Sequence, residues 1–142
     1  MKEFQNRNVV VTGGASGIGK GIVEAFAKEG ANVVFADVNH KLGLLTQAEV
    51  SEKSRNQNVY FIEVDMRNTE DISGFIERAN QRMPYVDVLV NNVGVNVKSG
   101  DILSHDLKDF EDAFHINVFS AIACIQGFLP SMQRRKKGAI VN

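Results

Sequence analysis

The sequence predicts an α/β domain organised around a doubly wound parallel sheet. Three observations lead to this prediction: short apolar runs alternate with helical patterns, a glycine-rich turn follows the first run, and polar residues close the later runs. Strands that alternate with helices form parallel sheets whose crossovers put helices on both faces. No repeat, low-complexity segment or linker interrupts residues 1–142, so we expect a single domain.

Five apolar runs predict the strands. The runs are short and rich in β-branched residues, as strands buried on both faces are. The predicted strands are Asn8–Thr12, Asn32–Ala36, Val59–Val64, Val86–Val90 and Ala139–Val141.

The first helix is predicted directly after the glycine-rich turn, and Gly30 ends it. Lys20, Glu24 and Lys28 share its wet face at i,i+4 spacing. The opposite face, which we expect to be buried, consists of Ile18, Ile22, Val23, Phe26 and Ala27.

Two further helices are predicted between the next strands. Residues 41–55 form one, with Leu44, Leu45 and Ala48 directed inward. Residues 70–82 form the other, with Thr69 as the N-cap. The inward stripe of this helix is Ile72, Phe75, Ile76 and Ala79.

A long helix is predicted near residues 104–134, starting at Ser104 with Asp106 close to its positive end. A helix that is apolar nearly all round needs partners on more than one side, so we expect a homo-oligomer formed through it. Its apolar residues are Phe114, Val118, Ala121, Ile122, Ile125, Phe128 and Leu129.

The glycine-rich turn Thr12–Gly19 has the spacing G-x-x-x-G-x-G and is built to hold a phosphate. Gly13 and Gly14 can take positive φ, Gly17 admits a ligand close to the backbone, and Gly19 permits close helix packing. The following helix start offers unpaired N–H groups and a positive dipole end. We interpret the turn as a site for the pyrophosphate of a dinucleotide. The alternative is a plain βα turn without a ligand.

Asp37 closes the second strand about 20 residues after the glycine turn, where an acid can accept from the adenosine ribose hydroxyls. A carboxylate there repels a 2′-phosphate, and neither Ser16 nor Val38 supplies a positive charge. The sequence therefore predicts NAD rather than NADP. The alternative for Asp37 is an ordinary turn or capping acid before Asn39.

Polar residues also close the third and fourth strands. Asp65 and Met66 can contact the adenine through the carboxylate and the next backbone N–H, or Asp65 can cap the local turn. The Asn91–Gly94 segment can lock neighbouring strands and bring backbone against a cofactor, although Asn-rich turns also arise for local reasons.

The composition argues against several function classes. A net charge of −1 offers no long-range attraction to nucleic acid or to an anionic membrane. No apolar stretch approaches membrane-spanning length, and residues 1–6 are too polar for a signal peptide, so we expect a cytoplasmic protein without a membrane partner. The basic run 134–137 is interpreted as a solvated helix end.

Cysteine and histidine usage excludes two further kinds of site. Cys124 is the single cysteine, so no internal disulfide is possible, and its apolar neighbours predict a buried, inert thiol. His40, His105 and His115 lack ligand spacing with Cys124 or an acid, so we expect no metal site.

Together these residues resemble the short-chain dehydrogenase/reductase family in its single-domain form. The family loop T-G-x-x-x-G-x-G matches Thr12–Gly19, and its N-N-A-G element matches Asn91–Gly94 with valine in place of alanine. Its fourth-helix asparagine matches Asn117, and its G-x-I-V-N strand matches Gly138–Asn142. The resemblance runs from Asn8 to the last residue. It implies a Rossmann fold of strand order 3-2-1-4-5, truncated after the fifth strand.

The resemblance implies an NAD-dependent oxidoreductase that transfers hydride between nicotinamide and a small alcohol or carbonyl substrate. It assigns ribose and adenine contacts to Asp37 and Asp65, and to Asn117 a catalytic role that holds a water in a proton relay. The implied cofactor-binding residues are Gly13, Ala15, Ser16, Gly17, Ile18, Gly19, Asp37, Val38, Asp65, Met66, Asn91, Val93 and Gly94.

Asn117 also stands out from its surroundings, because it lies in a strongly apolar helix. A buried amide needs a specific polar partner, such as a bound water or an interrupted helix carbonyl. The alternative is a structural asparagine bonded to its own helix backbone.

The resemblance stops before the family's catalytic pair. A general-base tyrosine needs a lysine four residues later to lower its pKa, but Val64 follows Tyr60 and Leu89 follows Tyr85 at that spacing. We therefore expect a truncated chain that is inactive alone, whose residues 95–102 line one side of the substrate pocket. The alternative is a non-catalytic NAD-binding or interaction module.

Overall fold

The computed structural model describes residues 2–97 and 99–142; Met1 and Lys98 lie outside the described residues. Its five strands pair in parallel in the order β3-β2-β1-β4-β5, which confirms the predicted fold class. The strands are β1 Asn8–Thr12, β2 Asn32–Asp37, β3 Val59–Glu63, β4 Val88–Val90 and β5 Ala139–Val141.

The sheet is centred on β1, whose five residues are all buried. The chain moves outward from β1 through β2 to β3 and then returns to pair β4 with the other side of β1. The strand order therefore reverses between β1 and β4. In open α/β sheets this reversal opens a crevice at the carboxyl ends of the strands.

Helices cover both faces of the sheet, as predicted. On one face, α1 and α2 bury Val23, Ala27 and Val50 against the valines of β1 and β2. On the other face, α3 and α5 pack against β1, β2 and β4 through Phe75 and Phe128. The helices are α1 Gly17–Lys28, α2 His40–Ser54, α3 Thr69–Arg82, α4 Leu107–Phe114 and α5 Ser120–Arg135.

The start of α1 differs from the prediction. Ile18 is 80% exposed instead of buried, because it lies in the first turn, beyond the carboxyl end of β1. The charged residues of α1 also pair between helices: Lys20 contacts Glu49 at 2.5 Å, and Glu24 contacts Lys53 at 3.6 Å. These ion pairs join α1 to α2.

The inward face of α2 was predicted wrongly. Leu44, Leu45 and Ala48 are exposed, and the buried residues of this helix are Gly43, Thr46, Val50 and Ser54. The reason is the short distance between α2 and β3. A Cβ atom on Gly43 would lie 2.3 Å from the Phe61 ring, so no side chain fits at this point of the inner face.

Two helix starts move by one or more residues. Asn68, not Thr69, caps α3 by accepting from the backbone N–H groups of Glu70 and Asp71. Asp106, not Ser104, caps α4 in a reciprocal capping box with Asp109.

The long helix is interrupted in register but remains continuous. A short 3₁₀ turn at Ile102–Ser104 precedes α4, and a π-helical segment at His115–Phe119 joins α4 to α5. The resulting helix Leu107–Arg135 is 29 residues long and, by length and composition alone, could cross a membrane. This corrects the expectation that no apolar stretch reaches that length. The helix reaches this length because the π-helical segment continues the helix from α4 into α5 without a break.

Cys124 lies in the core between α5 and the sheet, as predicted. Burial raises the pKa of its thiol to about 12, so the thiol remains protonated and unreactive at neutral pH.

Candidate functional site

A cavity of about 290 Å³ opens where the strand order reverses, among the loops that follow β1, β2, β3 and β4. Six of the predicted cofactor-binding residues line it: Gly13, Asp37, Val38, Asp65, Met66 and Val93. The remaining lining residues, which sequence reasoning did not assign to the cofactor, are Ala36, Val64, Arg67, Val95 and Ile116.

The glycine loop turns sharply out of β1. Two of its glycines are required by their backbone conformation and two by close packing. Gly13 has φ +67° and Gly17 has φ +53°, a backbone region that favours glycine. Gly14 does not take positive φ, contrary to the prediction; a Cβ there would lie 2.7 Å from Phe35. Gly19 is required by packing, because its Cβ would lie 1.9 Å from the Gly13 carbonyl oxygen.

The mouth of the loop is the start of α1. Ser16, Gly17 and Ile18 are exposed there, and the Ser16 side chain makes no capping hydrogen bond. The first turn carries no acidic residue. The N–H groups of this helix start are therefore accessible to an anion, and the positive end of the helix dipole favours one.

Asp37 connects the glycine loop to the end of β2. One carboxylate oxygen accepts from the Ala15 backbone N–H at 3.1 Å, and the other accepts from the Asn39 N–H at 3.0 Å. Asp37 therefore does stabilise the turn before Asn39, as the alternative interpretation of this residue expects. A carboxylate has about four acceptor positions, so two contacts leave room for ribose hydroxyls.

Asp65 is held by Arg67, a residue that sequence reasoning missed. The Arg67 Nη2 atom lies 2.6 Å from Oδ2, and the Arg67 backbone N–H donates to Oδ1 at 3.0 Å. Hydrogen bonding from Arg67 lowers the pKa of the Asp65 carboxyl group. The spacing of Asp65 and Arg67 in one turn could have indicated the pair. Met66, between them, is buried.

The segment after β4 ties three strands together. The Asn92 amide donates to the carbonyls of Thr12 and Gly13 at 3.0 and 3.1 Å, and the Thr12 hydroxyl accepts from the Asn92 and Val93 N–H groups. On the other side, the Asn91 amide donates to Asn142 after β5 at 2.8 Å. The expectation that this segment locks neighbouring strands is confirmed. Gly94 follows in this segment. A Cβ atom on Gly94 would lie 3.5 Å from Asn117 Oδ1.

Asn117 is exposed, not buried as predicted, because the π-helical segment around it lies at the open end of the site. Its side chain makes two hydrogen bonds of 2.8 Å, accepting from the Val95 N–H and donating to the Val95 carbonyl. The partner in this structure is thus a neighbouring loop and not its own helix. Asn117 fixes the chain that leaves β4.

A second cavity of about 360 Å³ adjoins the first and shares Val95 with it. Of the predicted pocket segment 95–102, residues Val95, Asn96 and Val97 line this cavity, whereas Ile102 is exposed and Lys98 lies outside the described residues. The helical side of the cavity is formed by Phe110, Ala113, Phe114, Asn117 and Val118.

Over residues 2–97 and 99–142, no group of three or more histidine, cysteine or acidic side chains is arranged to hold a metal ion.

A family model described as short chain dehydrogenase matches residues 7–142. The chain is 33% identical over 140 residues to a probable galactose dehydrogenase of Rhizobium meliloti, covering 99% of this chain and 54% of that protein. It is 34% identical to xanthoxin dehydrogenase of Arabidopsis thaliana, covering 94% of this chain and 47% of that protein. The chain therefore spans about half the length of these relatives.

Among solved structures, L-sorbose reductase of Gluconobacter frateurii, complexed with NADPH and L-sorbose, superposes with a TM-score of 0.90. The two sequences are 28% identical, and the match covers 98% of this chain and 52% of the reductase. The similarity thus extends across the sheet and all its flanking helices.

Proposed function

The chain belongs to the short chain dehydrogenase family, a family of oxidoreductases, and from this premise we propose that it is the cofactor-binding part of an NAD-dependent enzyme. The reaction is hydride transfer between nicotinamide and a small alcohol or carbonyl substrate. One observation carries the proposal: the cavity at the strand reversal is lined by Gly13 of the glycine loop together with the two acidic residues Asp37 and Asp65.

The residues present fit a dinucleotide by their donor and acceptor chemistry. The start of α1 supplies N–H donors for a pyrophosphate, and nothing lies within 4 Å of where a Gly17 Cβ would be. In this proposal Ser16, Gly17 and Ile18 bind the diphosphate, while Asp37 and Val38 contact the ribose. Ala15, predicted to bind the cofactor, is buried with its N–H already bound to Asp37, so its proposed part is to shape the loop behind the diphosphate. The adenine and the rest of the cofactor are contacted by the residues that follow β3 and β4, namely Asp65, Met66, Asn91, Val93 and Gly94. The bound nicotinamide would supply the hydride acceptor or donor.

We propose NAD over NADP because the charge at the ribose end is negative. Asp37 lines the cavity, and its neighbours Ser16 and Val38 carry no charge that would attract a 2′-phosphate. The sorbose reductase is complexed with NADPH. A relative of this fold can therefore hold the phosphorylated cofactor, and the preference of this chain depends on the Asp37 carboxylate.

Asn117 has a proposed catalytic role through the geometry of the second cavity. Val95 occupies two of the four hydrogen-bonding positions of its side chain, so one N–H and one oxygen lone pair remain for the water that it would hold. Such a water would carry a proton between solvent and the substrate side of the cavity.

The helix Leu107–Arg135 is the proposed subunit contact. Leu107, Phe114, Phe119 and Ile122 are exposed on it, while its opposite side packs against α3 and the sheet. Because one side of this helix packs against a sheet, we propose that a second copy of the chain, and not lipid, contacts its exposed side. The proposed location is the cytoplasm, with small molecules and no nucleic acid as partners.

Titration of the 142-residue chain with NADH, followed by cofactor fluorescence, tests the cofactor site. We expect saturable binding of NADH, weaker binding of NADPH, and no hydride transfer with simple alcohols, because no lysine follows Tyr60 or Tyr85 at the required spacing. Absence of NADH binding would overturn the proposal.

A second candidate is a non-catalytic NAD-binding or interaction module, favoured by the lack of a Tyr-x-x-x-Lys pair within these residues. The reading frame beyond Asn142 discriminates between the two. A downstream Tyr-x-x-x-Lys supports the enzyme, and a frame without it supports the module.

A further inference from the structure

We infer that Thr46 on α2 is a positioning residue for the glycine loop, holding the Ala15–Ser16 peptide so that its N–H group faces the proposed phosphate site. The inference rests on the proposed cofactor function and adds to it a residue outside the loop itself.

The hydrogen bond of Thr46 is unusual for a hydroxyl inside a helix. Thr46 is 0% exposed, and its Oγ1 donates to the Ala15 carbonyl oxygen at 2.8 Å, across from α2 to the loop. Buried helical hydroxyls commonly donate to the carbonyl one turn earlier in the same helix. Ser54, also on α2, does so by donating to the Val50 carbonyl at 2.6 Å. The Thr46 hydroxyl therefore contacts the glycine loop and not its own helix.

Ala15 is held on its other side as well. Its N–H donates to Asp37 Oδ2 at 3.1 Å, and the residue is almost completely buried. The preceding N–H, that of Gly14, donates to the Ala36 carbonyl at 3.0 Å. The Gly13–Gly14 and Gly14–Ala15 peptide groups are thus both held by hydrogen bonds, and Thr46 holds the next one through the Ala15 carbonyl.

The planarity of the peptide transmits this constraint to Ser16. Within the described residues every peptide bond is trans, so the C=O of Ala15 and the N–H of Ser16 point in opposite directions. With the carbonyl directed into the protein at Thr46, the N–H is directed outward at the mouth of the loop. Ser16 is exposed there, and the described residues offer its N–H no hydrogen-bond partner.

Two substitutions on α2 separate positioning from stability. Thr46→Val removes the hydroxyl at nearly constant volume, and Thr46→Ser keeps it. Ser54→Ala is the matched control, because it removes a buried hydroxyl of the same helix that does not contact the loop. The dissociation constant of NADH and the melting temperature are measured for each variant of the 142-residue chain.

We expect T46V to raise the NADH dissociation constant about tenfold, since a donor to a charged phosphate loses its orientation. T46S is expected to restore binding, and S54A to bind within about twofold of the parent even if its melting temperature falls. Equal binding by T46V and the parent would overturn the inference, as would a loss in S54A as large as that in T46V.

A second measurement does not depend on how the variants fold. In ¹⁵N-labelled parent chain, the Ser16 amide resonance is expected to shift on saturation with NADH, and a Ser16 amide that does not respond would overturn the inference. Parent chain that binds no NADH at all would instead overturn the proposed function.

Discussion

The Arg67 guanidinium makes a bidentate contact with the Asp65 carboxylate: Nη2 lies 2.6 Å from Oδ2, and Nε lies 3.0 Å from Oδ1. The pair lies on the wall of the cavity proposed for the adenine. Arg67 therefore fixes both the direction and the ionisation of the group that is proposed to accept from the adenine amino group.

Replacing Arg67 with glutamine is expected to weaken the preference of the chain for a cofactor that carries adenine over one that carries hypoxanthine. The parent chain should bind NADH more tightly than reduced nicotinamide hypoxanthine dinucleotide, whose 6-oxo group cannot donate to Asp65. Arg67→Gln should narrow this ratio, because the carboxylate is then free to rotate. Both affinities are measured by fluorescence titration, with Arg134→Gln as the control on an exposed arginine. An unchanged ratio in R67Q would argue against the role of the pair.

The same pair predicts a pH dependence. Arg67 lowers the pKa of Asp65 below its ordinary value of 3.8, so the pair stabilises the fold above that pH. This contribution is lost as the pH falls through the lowered pKa of the folded state. In R67Q the acid unfolding midpoint should move to higher pH, as followed by circular dichroism. A midpoint identical to that of the parent would show that the pair contributes nothing.

Asp37→Asn is expected to shift the cofactor preference toward the phosphorylated form. The substitution removes the charge that is proposed to face the 2′ position while nearly keeping the size of the side chain, so the NADPH to NADH affinity ratio should rise about tenfold or more. Glu52→Gln, which makes the same charge change on the exposed face of α2, is the control. A ratio that moves equally in both variants would assign the effect to overall charge.

Asn92→Ala is expected to destabilise the carboxyl ends of β1 and β4. The Asn92 amide satisfies the carbonyls of Thr12 and Gly13, and its loss should lower the free energy of unfolding by about 1–3 kcal/mol. Urea denaturation measures the change. Asn91→Ala, whose amide contacts the exposed Asn142, should cost less, and the reverse order would contradict this account.

Asp87→Ala is expected to be among the most destabilising changes far from the cavity. The Asp87 side chain is 6% exposed, accepts from the Asn8 N–H at 3.0 Å and contacts Arg135 at 3.1 Å. Leaving Arg135 without its anion should lower the unfolding free energy by roughly 3–5 kcal/mol. Arg7→Ala breaks only a 3.7 Å contact on the same carboxylate and should cost less than about 1 kcal/mol. Thermal melts compare the two, and similar losses would refute the distinction.

Some features of this protein follow from local pattern alone. The β-branched runs predict all five strands within two residues of their observed ends, because the period of an apolar run depends only on neighbouring residues. The glycine spacing predicts the turn after β1, and Asp37 and Asp65 fall on the cavity wall because parallel strands end at one edge.

Other features depend on how far apart the elements lie. The close approach of α2 to Phe61 leaves no room for a side chain at Gly43, and the buried face of the helix contains Thr46 and Val50 and not Leu44 and Leu45. No periodicity of residues 41–55 indicates this face. The exposure of Asn117 follows from a π-helical turn, and its partner Val95 comes from another segment.

The fold class and the edge of the sheet where a ligand would bind can thus be predicted from the sequence, since both follow from local chain geometry repeated along the chain. Which groups orient the site depends on how the elements pack. Thr46 with Ala15 and Asn92 with Thr12 are pairs far apart in the chain, and a hydrogen bond exists only when packing brings its two atoms within about 3 Å.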